Sequence, residues 1–444
     1  MDVVIIGGDA AGMSAASRLK RIMPDTNVIV FEKTKDVSYS ACGMPYNIGD
    51  PSREIDDLVV RPAKVFREKQ GIDLRLNHEI IKIDPQKKIV YGLNEKGEFE
   101  QPYDRLLIAT GAKAIRLDIP GNNLPGVFVL KNLEDARRIK KFIQEKGVKS
   151  AVIIGMGYIG LEMCEALRNW NISVQMVKPN PRFLPNFCEE IADKVKQEVE
   201  NKGIELYFSK INEIKLNNNK LHVICDGFDL HCDMVLMAVG VAPNSELAKS
   251  AGLETSIKDS IAVDKTFKTS DNDIYAAGDC ADTYNVITGK KTYVPLALLA
   301  NRGGIIAADN IAGKKETFDG IVGTAVFKVF GFQVARTGLN AQEAKKYGFD
   351  PVSVTIRSSS RAHRHPGAKK ILIHMVGDKG TGRLLGAQMV GEEGVAHRIN
   401  SIAVALHAKF TVKEYFQCDL AYAPPFGPVW DPTLMGARQL LKRL

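Results

Sequence analysis

The sequence predicts an α/β chain in which two doubly wound, parallel-sheet units are followed by an α+β domain. Three observations predict it. An apolar run, Val3–Ile6, leads into Gly7-Gly8-Asp9-Ala10-Ala11-Gly12. The pattern recurs as Ser150–Ile154 before Gly155-Met156-Gly157-Tyr158-Ile159-Gly160, and beyond residue 322 the apolar runs suit an antiparallel sheet. Short continuous apolar runs are what strands buried on both faces show. A chain of 444 residues exceeds one ordinary core; the expected domains are 1–112 with 245–320, then 113–244, then 321–444.

The first unit runs from strand Val3–Ile6 through the glycine turn and a helical stretch, Met13 to Ile22. It continues to a second strand, Val28–Glu32, whose terminal acid stands 20 residues after Gly12. This is a Rossmann pattern: the glycines tighten the turn and admit a pyrophosphate, and the acid takes a ribose hydroxyl. Gly7, Gly8, Ala11, Gly12 and Glu32 are the candidates, with Lys33 beside them. Asp9 departs from the pattern, standing where the middle glycine lets backbone approach phosphate.

The second unit repeats the order, with a helix through Leu167 and strand Ser173–Val177. Gly155, Gly157, Tyr158, Ile159 and Gly160 form its turn. Lys178 stands where the acid would, with Arg182 four residues on. A cation there suits a 2′-phosphate, so NADPH is expected to be accepted as well as NADH; the alternative is a solvated strand-end lysine. Three further apolar strands end in glycine where the chain crosses between units. They are Leu106–Gly111 with Thr110 and Gly111, Val235–Gly240, and Ile274–Asp279 with Gly278 and Asp279. Asp279, at a strand end, is placed to bond a ribityl hydroxyl. In the third domain, strands are expected at 323–330, 351–356, 370–376 and 383–390, with helices Ala341–Tyr347 and Gly394–Leu406.

Composition narrows the function classes. With 45% hydrophobic and 25% charged residues the chain reads as globular. Its +8 charge is scattered with no Lys/Arg block, so nucleic acid is not expected. Small anions are one reason for that charge and a bland basic surface is the other. No apolar run reaches the ~20 residues of a membrane span, and Asp2 stands where a leader would be basic, so the default location is cytoplasmic. The seven cysteines show no C-x-x-C pair and no metal-ligand spacing. Such a set suits a reducing compartment, and Cys164, Cys225 and Cys232 read as packing residues. His363 and His365 lack a third ligand, so no metal is expected.

Cys42 is the candidate reactive group. It lies in Ser38-Tyr39-Ser40-Ala41-Cys42-Gly43-Met44-Pro45-Tyr46, ten residues after Glu32 and with no second cysteine nearby. Gly43 and Pro45 predict a helix starting just after it, whose dipole is expected to hold the thiol below about 8.5. The alternative is a small buried hydrophobe.

Taken together, the tandem glycine turns, Ala109-Thr110-Gly111, Ala277-Gly278-Asp279 and the C-terminal α+β domain resemble the pyridine nucleotide-disulfide oxidoreductases over essentially the whole chain. The resemblance implies FAD in the first fold, NAD(P)H in the second, and a homodimer joined through the last domain. It also assigns Ile80, Pro295, Ala297 and Gly240 to the cofactor sites. Val37 stands where a C-x-x-x-x-C pair would need its other cysteine. The Ser38–Tyr46 segment is therefore similar to the single-cysteine branch, the coenzyme A-disulfide reductases and their polysulfide-reducing relatives.

That likeness implies hydride transfer from NAD(P)H to flavin and two-electron delivery to Cys42. The substrate would be coenzyme A disulfide or a coenzyme A-bound or inorganic polysulfide. Ser14, Arg18, Arg21, Ser38, Lys69 and Asn301 match the branch's substrate-contacting positions, with Arg61 and Lys64 as further basic candidates. Residues 421–432 are similar to its C-terminal signature, whose tyrosine, here Tyr422, reaches the partner subunit's active site. In 361–367, Arg364 takes the place of a second active-site tyrosine. Ala10 stands where oxidases and peroxidases of the superfamily carry histidine, which weakens a sulfenic-acid oxidase reading; a flavin-bound redox sensor is the other rival. No rhodanese domain precedes Leu444, so sulfur delivery is expected from free substrate or another protein.

Overall fold

The computed structural model describes residues 1–444. Its first sheet has five parallel strands in the order Ile274–Ala276, Arg105–Ile108, Asp2–Ile6, Asn27–Glu32, Asp73–Leu76. Val3, Val4 and Ile5 are wholly buried, as expected for a strand covered on both faces. The second sheet repeats this build with Glu205–Phe208, Ser173–Lys178, Ser150–Ile154, Met234–Met237 and Val127–Val129, again all parallel. Each unit also carries a three-stranded antiparallel sheet, residues 79–102 in the first and 211–232 in the second. Ala112–Ala114 and Val241–Pro243 pair antiparallel where the chain crosses between the units.

The two glycine turns are built alike, and sterics say why. Gly7 (φ +113°) and Gly155 (φ +111°) adopt a conformation open to glycine; a Cβ would stand 2.2 Å from the Ala109 carbonyl oxygen in the first and 2.3 Å from that of Ala238 in the second. Ala109 and Ala238 belong to the strand-to-glycine passages, so each turn is pressed onto its neighbouring strand. The first helix begins at Ala10, three residues earlier than the sequence suggested. Asp9 is its N-cap in an extended conformation, so the helix opens directly from the glycine turn.

The third domain is an antiparallel sheet in the order Ala325–Val329, Phe332–Gly338, Leu384–Gly391, Lys370–Asp378, Pro351–Ser359. Helices Val395–His407 and Pro432–Leu441 pack on it. Strand Phe332–Gly338 and helix Pro432–Leu441 were not anticipated. No helix is long and apolar enough to cross a membrane. Met44, Ile48, Ile55 and Leu58, although they follow the first unit's second strand, belong to the apolar core of the second unit with Leu133, Leu161 and Met163. The Cys42 segment is thereby stretched across the joint between the units.

Candidate active site

Both glycine turns and Cys42 open onto one continuous cavity of about 2330 Å³. Cys42 is exposed in a short 3-10 turn, Ala41–Gly43, directly before the five-residue helix Met44–Ile48 with Pro45 in its first turn. The turn is held tightly. The Ser38 and Tyr39 N–H groups donate to Gly8 O (3.1 Å) and Asp9 Oδ1 (3.4 Å), and a Cβ on Gly43 would meet Leu58 at 2.7 Å.

From the other unit, helix Leu133–Lys146 clamps this segment with two cations one turn apart. Arg137 makes a bidentate pair with Asp36 (2.7 Å each) and bonds Asp56 (2.5 Å). Lys140, 5% exposed, donates to the carbonyls of Asn47 (3.0 Å), Asp50 (2.8 Å) and Arg53 (2.5 Å). Beside it, the Trp170 indole donates to Ile48 O at 2.6 Å.

The charges around Cys42 do not lower its pKa as the sequence suggested. Burial comes first and raises it; Glu162, Asp279 and Asp9 add to the rise, and Lys131 alone among these groups opposes it. A five-residue helix supplies too small a dipole to overcome three carboxylates. Lys131 pairs with Asp279 at 3.0 Å, and Glu162 accepts from the Tyr46 hydroxyl at 2.6 Å. Burial pushes the Asp9 carboxyl up to about 6.

Of the residues expected to hold cofactor, Gly12 and Gly160 do not line the cavity, and the others do. Those two close the helix onto the turn: a Cβ would stand 1.9 Å from Gly7 O in one case and 2.5 Å from Gly155 O in the other. Glu32 is fixed in the cavity wall, accepting from the N–H groups of Gly8 and Thr34 and the Thr34 hydroxyl, each at 2.8 Å. Lys178 faces the cavity at the end of its strand and donates to Arg182 O at 2.9 Å. Thr110 and Asn244 fasten the crossing strands to each other with bonds of 2.6 and 2.8 Å.

The expected substrate residues are more dispersed. Asn301 lines the cavity and accepts from the Ser14 hydroxyl at 2.7 Å. Arg18 is held by Asp309 (3.0 and 3.1 Å), across the face that packs helix Ala10–Ile22 on helix Ala297–Ile311. Arg21 and Lys69 are exposed, and Ser38 sits in a left-handed conformation (φ 48°) outside the cavity wall. Tyr422 and Arg364 do not line their own chain's cavity. They are neighbours through the Ala362 N–H, which donates to Pro424 O at 3.0 Å, and Arg364 is left-handed at φ 70°. Around Tyr422 the surface exposes Phe426, Val429 and Trp430.

Reading the sequence missed Lys131, Glu162, Arg137 and Lys140. Glu162 had a signal, since it lies one helical turn after Tyr158 and shares its face. The other three act on residues 81 to 148 positions away, and no local pattern reveals such pairs.

Two nucleotide-type units sharing a cleft with one thiol define a flavoprotein-like reductase architecture, and residues 1–304 match the model of the pyridine nucleotide-disulphide oxidoreductase family, with 324–432 matching its dimerisation domain. The chain belongs to this family. It is 41% identical over 440 residues to the NAD(P)H coenzyme A polysulfide/persulfide reductase of Pyrococcus horikoshii, covering 99% of this chain and 98% of the relative. It is 35% identical over 447 residues to the NADH oxidase of Methanocaldococcus jannaschii, covering 100% and 99%. Among solved structures, the NAD-dependent persulfide reductase from A. fulgidus superposes with a TM-score of 0.97 at 38% identity, covering 100% of this chain and 83% of that one.

Proposed function

We propose that this chain is an FAD-containing NAD(P)H reductase of coenzyme A disulfide or of coenzyme A-bound or inorganic polysulfide, acting through Cys42. The observation that carries the reading is a single exposed thiol in the cavity shared by both glycine turns. That cavity exceeds the roughly 300–1,000 Å³ of a pocket for one small ligand, and a Cβ on Gly111 or Gly157 would meet nothing, so open space lies over the Thr110-Gly111 passage of the first unit and over the glycine turn of the second. The residues therefore fit two dinucleotides. FAD, when bound, supplies the two-electron relay between NAD(P)H and sulfur.

The chain's own residues do the rest. Glu32 is placed for the FAD ribose, and the first N–H groups of helix Ala10–Ile22 for its pyrophosphate. Lys178 is the candidate partner of a 2′-phosphate. Cys42 as thiolate attacks one sulfur of the substrate S–S bond. That bond breaks, a coenzyme A thiolate leaves and a mixed disulfide forms. Two electrons from NAD(P)H, with a proton from solvent, then restore Cys42 and release the second thiol. The net change is NAD(P)H, a proton and a disulfide giving NAD(P)⁺ and two thiols. Because Glu162 and burial favour the protonated sulfur, Lys131 is the group that supports the thiolate. Exposed Phe426, Val429, Trp430 and Tyr422 support a homodimer in which Tyr422 and Arg364 reach the partner's cavity. Asn301, Arg21 and Lys69 are candidates for the coenzyme A moiety. Cysteines that form no disulfide suit a cytoplasmic setting.

Cys42→Ser is expected to retain FAD and lose disulfide and polysulfide reduction by at least ~10³-fold, measured by NAD(P)H oxidation with each acceptor; near-normal turnover would sink the proposal. The likeness to an NADH oxidase favours a second reading, cycling of Cys42 through sulfenic acid with oxygen or peroxide. It requires acceptor-independent oxygen consumption matching NAD(P)H loss.

A further inference from the structure

Behind the stretch Pro185–Phe187 of the cavity wall, the joint between the second unit and the third domain carries a mixed cluster of sulfur, oxygen and nitrogen donors, none of which lines the cavity itself. Cys188 is the N-cap of helix Glu189–Asn201 and Glu190 lies in its first turn. His374 comes from strand Lys370–Asp378 and is 8% exposed. One donor atom from each lies within 4.8 Å of the other two. The side chains come from two elements, Cys188 and Glu190 from one helix start and His374 from a strand of the third domain. His374 is directly opposite Thr355 on one neighbouring strand and Gln388 on the other, so the three form a row on one face of the sheet. The Thr355 hydroxyl lies 2.9 Å from His374 Nδ1 and donates to Glu190 Oε1 at 3.0 Å. Gln388 accepts from the Cys188 N–H at 2.6 Å and donates to Asn186 O at 3.0 Å.

We infer that Cys188, Glu190 and His374 form a zinc-binding site that clips the second nucleotide unit to the third domain. One thiolate, one carboxylate and one imidazole are the ligand types zinc takes, with a water completing four-coordination. Together with Zn²⁺ the set is neutral, which suits its part-buried position. Tetrahedral zinc spaces its donors about 3.5 Å apart, so side chains already this close need shift by only about 1 Å. Thr355 supplies outer hydrogen bonds that orient Glu190 and His374, and Gln388 holds the backbone of Cys188 in place. The helix N-terminus, although it repels a cation, favours the two anionic ligands. Imidazole ligates zinc in its neutral form, and a thiol ligates it only as the thiolate. Zinc therefore has to displace the Cys188 thiol's proton to solvent.

The test uses the FAD-loaded Cys42→Ser protein, which removes the exposed thiol, dialysed against Zn²⁺ alone and assayed for metal by mass spectrometry. One zinc per subunit is expected, with about one proton released per zinc bound near pH 7. Cys188→Ser or His374→Asn in that background is expected to weaken binding at least tenfold. Glu190→Gln, at an exposed position that leaves the fold undisturbed, is expected to do so as well. In the protein with Cys42 intact, Cys188→Ser leaves NAD(P)H turnover unchanged. No zinc bound, or binding indifferent to all three substitutions, overturns the assignment and leaves the cluster a hydrogen-bonded latch.

Discussion

Lys140→Met removes a cation that holds the Cys42 segment from the opposite unit, and its cost follows from the contacts. The ammonium has three N–H groups and four oxygens within 2.5–3.3 Å, so two of those oxygens, both on Asn47, share one donor. Three bonds from a charged donor are worth about 1.5–3 kcal/mol each, and withdrawing a buried ammonium from water offsets several kcal/mol of that sum. Methionine keeps the packed stem but leaves Arg53 O without its donor, while Asn47 O and Asp50 O keep the N–H groups of Asp50 (3.1 Å) and Arg53 (3.4 Å). The net loss is about 1–3 kcal/mol, concentrated in residues 44–53. Trp170 reads that region directly through its bond to Ile48 O, and Trp430, the second of the chain's two tryptophans, is removed by Trp430→Phe. Urea titration of Trp170 emission in that background is expected to show an early transition in Lys140→Met, ahead of the loss of helical circular dichroism. A shift below about 1 kcal/mol refutes the clamp.

Three further outcomes are expected. Lys131→Met raises the Cys42 thiol pKa further, because Lys131 opposes the rise. The rate of iodoacetamide alkylation at Cys42 near neutral pH should then fall by roughly threefold or more, and an unchanged rate removes Lys131 from the site. Asp9 binds a proton more tightly folded than unfolded, so its stabilisation is fullest below pH 4 and disappears as pH rises through about 6. The span is about 3 kcal/mol; Asp9→Asn should flatten that slope in denaturation curves between pH 4 and 7, and a slope that persists assigns it elsewhere. Lys178→Glu should raise KM for NADPH at least tenfold relative to NADH; an unmoved ratio means the lysine is only a strand-end charge.

What was legible in the sequence depended on range. Val3–Ile6 and Ser150–Ile154 could be placed because strands buried on both faces are written as unbroken apolar runs. Gly7 and Gly155 could be placed because their conformation admits little else. Strand Phe332–Gly338 escaped notice because Gln333 and Arg336 interrupt its apolar residues. Helix Pro432–Leu441 did carry a start signal, Asp431 capping Thr433 ahead of Pro432 in the first turn. The sequence also placed a helix start after Cys42, and the helix is there. The sign of the thiol's shift was not legible, since it depends first on burial at the joint between the units and then on Glu162, Asp279 and Asp9 arriving from three different elements. Arg18 is expected from the sequence among the substrate contacts, whereas in the fold Asp309, 291 positions later, holds it.

Cys42 as the sulfur that meets substrate is most directly tested by trapping. The NADPH-reduced protein is mixed with a slight excess of coenzyme A disulfide, quenched with acid within a turnover, and its peptides mapped without reductant. The account predicts one coenzyme A group in disulfide linkage at Cys42, absent in Cys42→Ser and released by dithiothreitol. Continued turnover with no adduct at Cys42, or with the adduct on another cysteine, contradicts it.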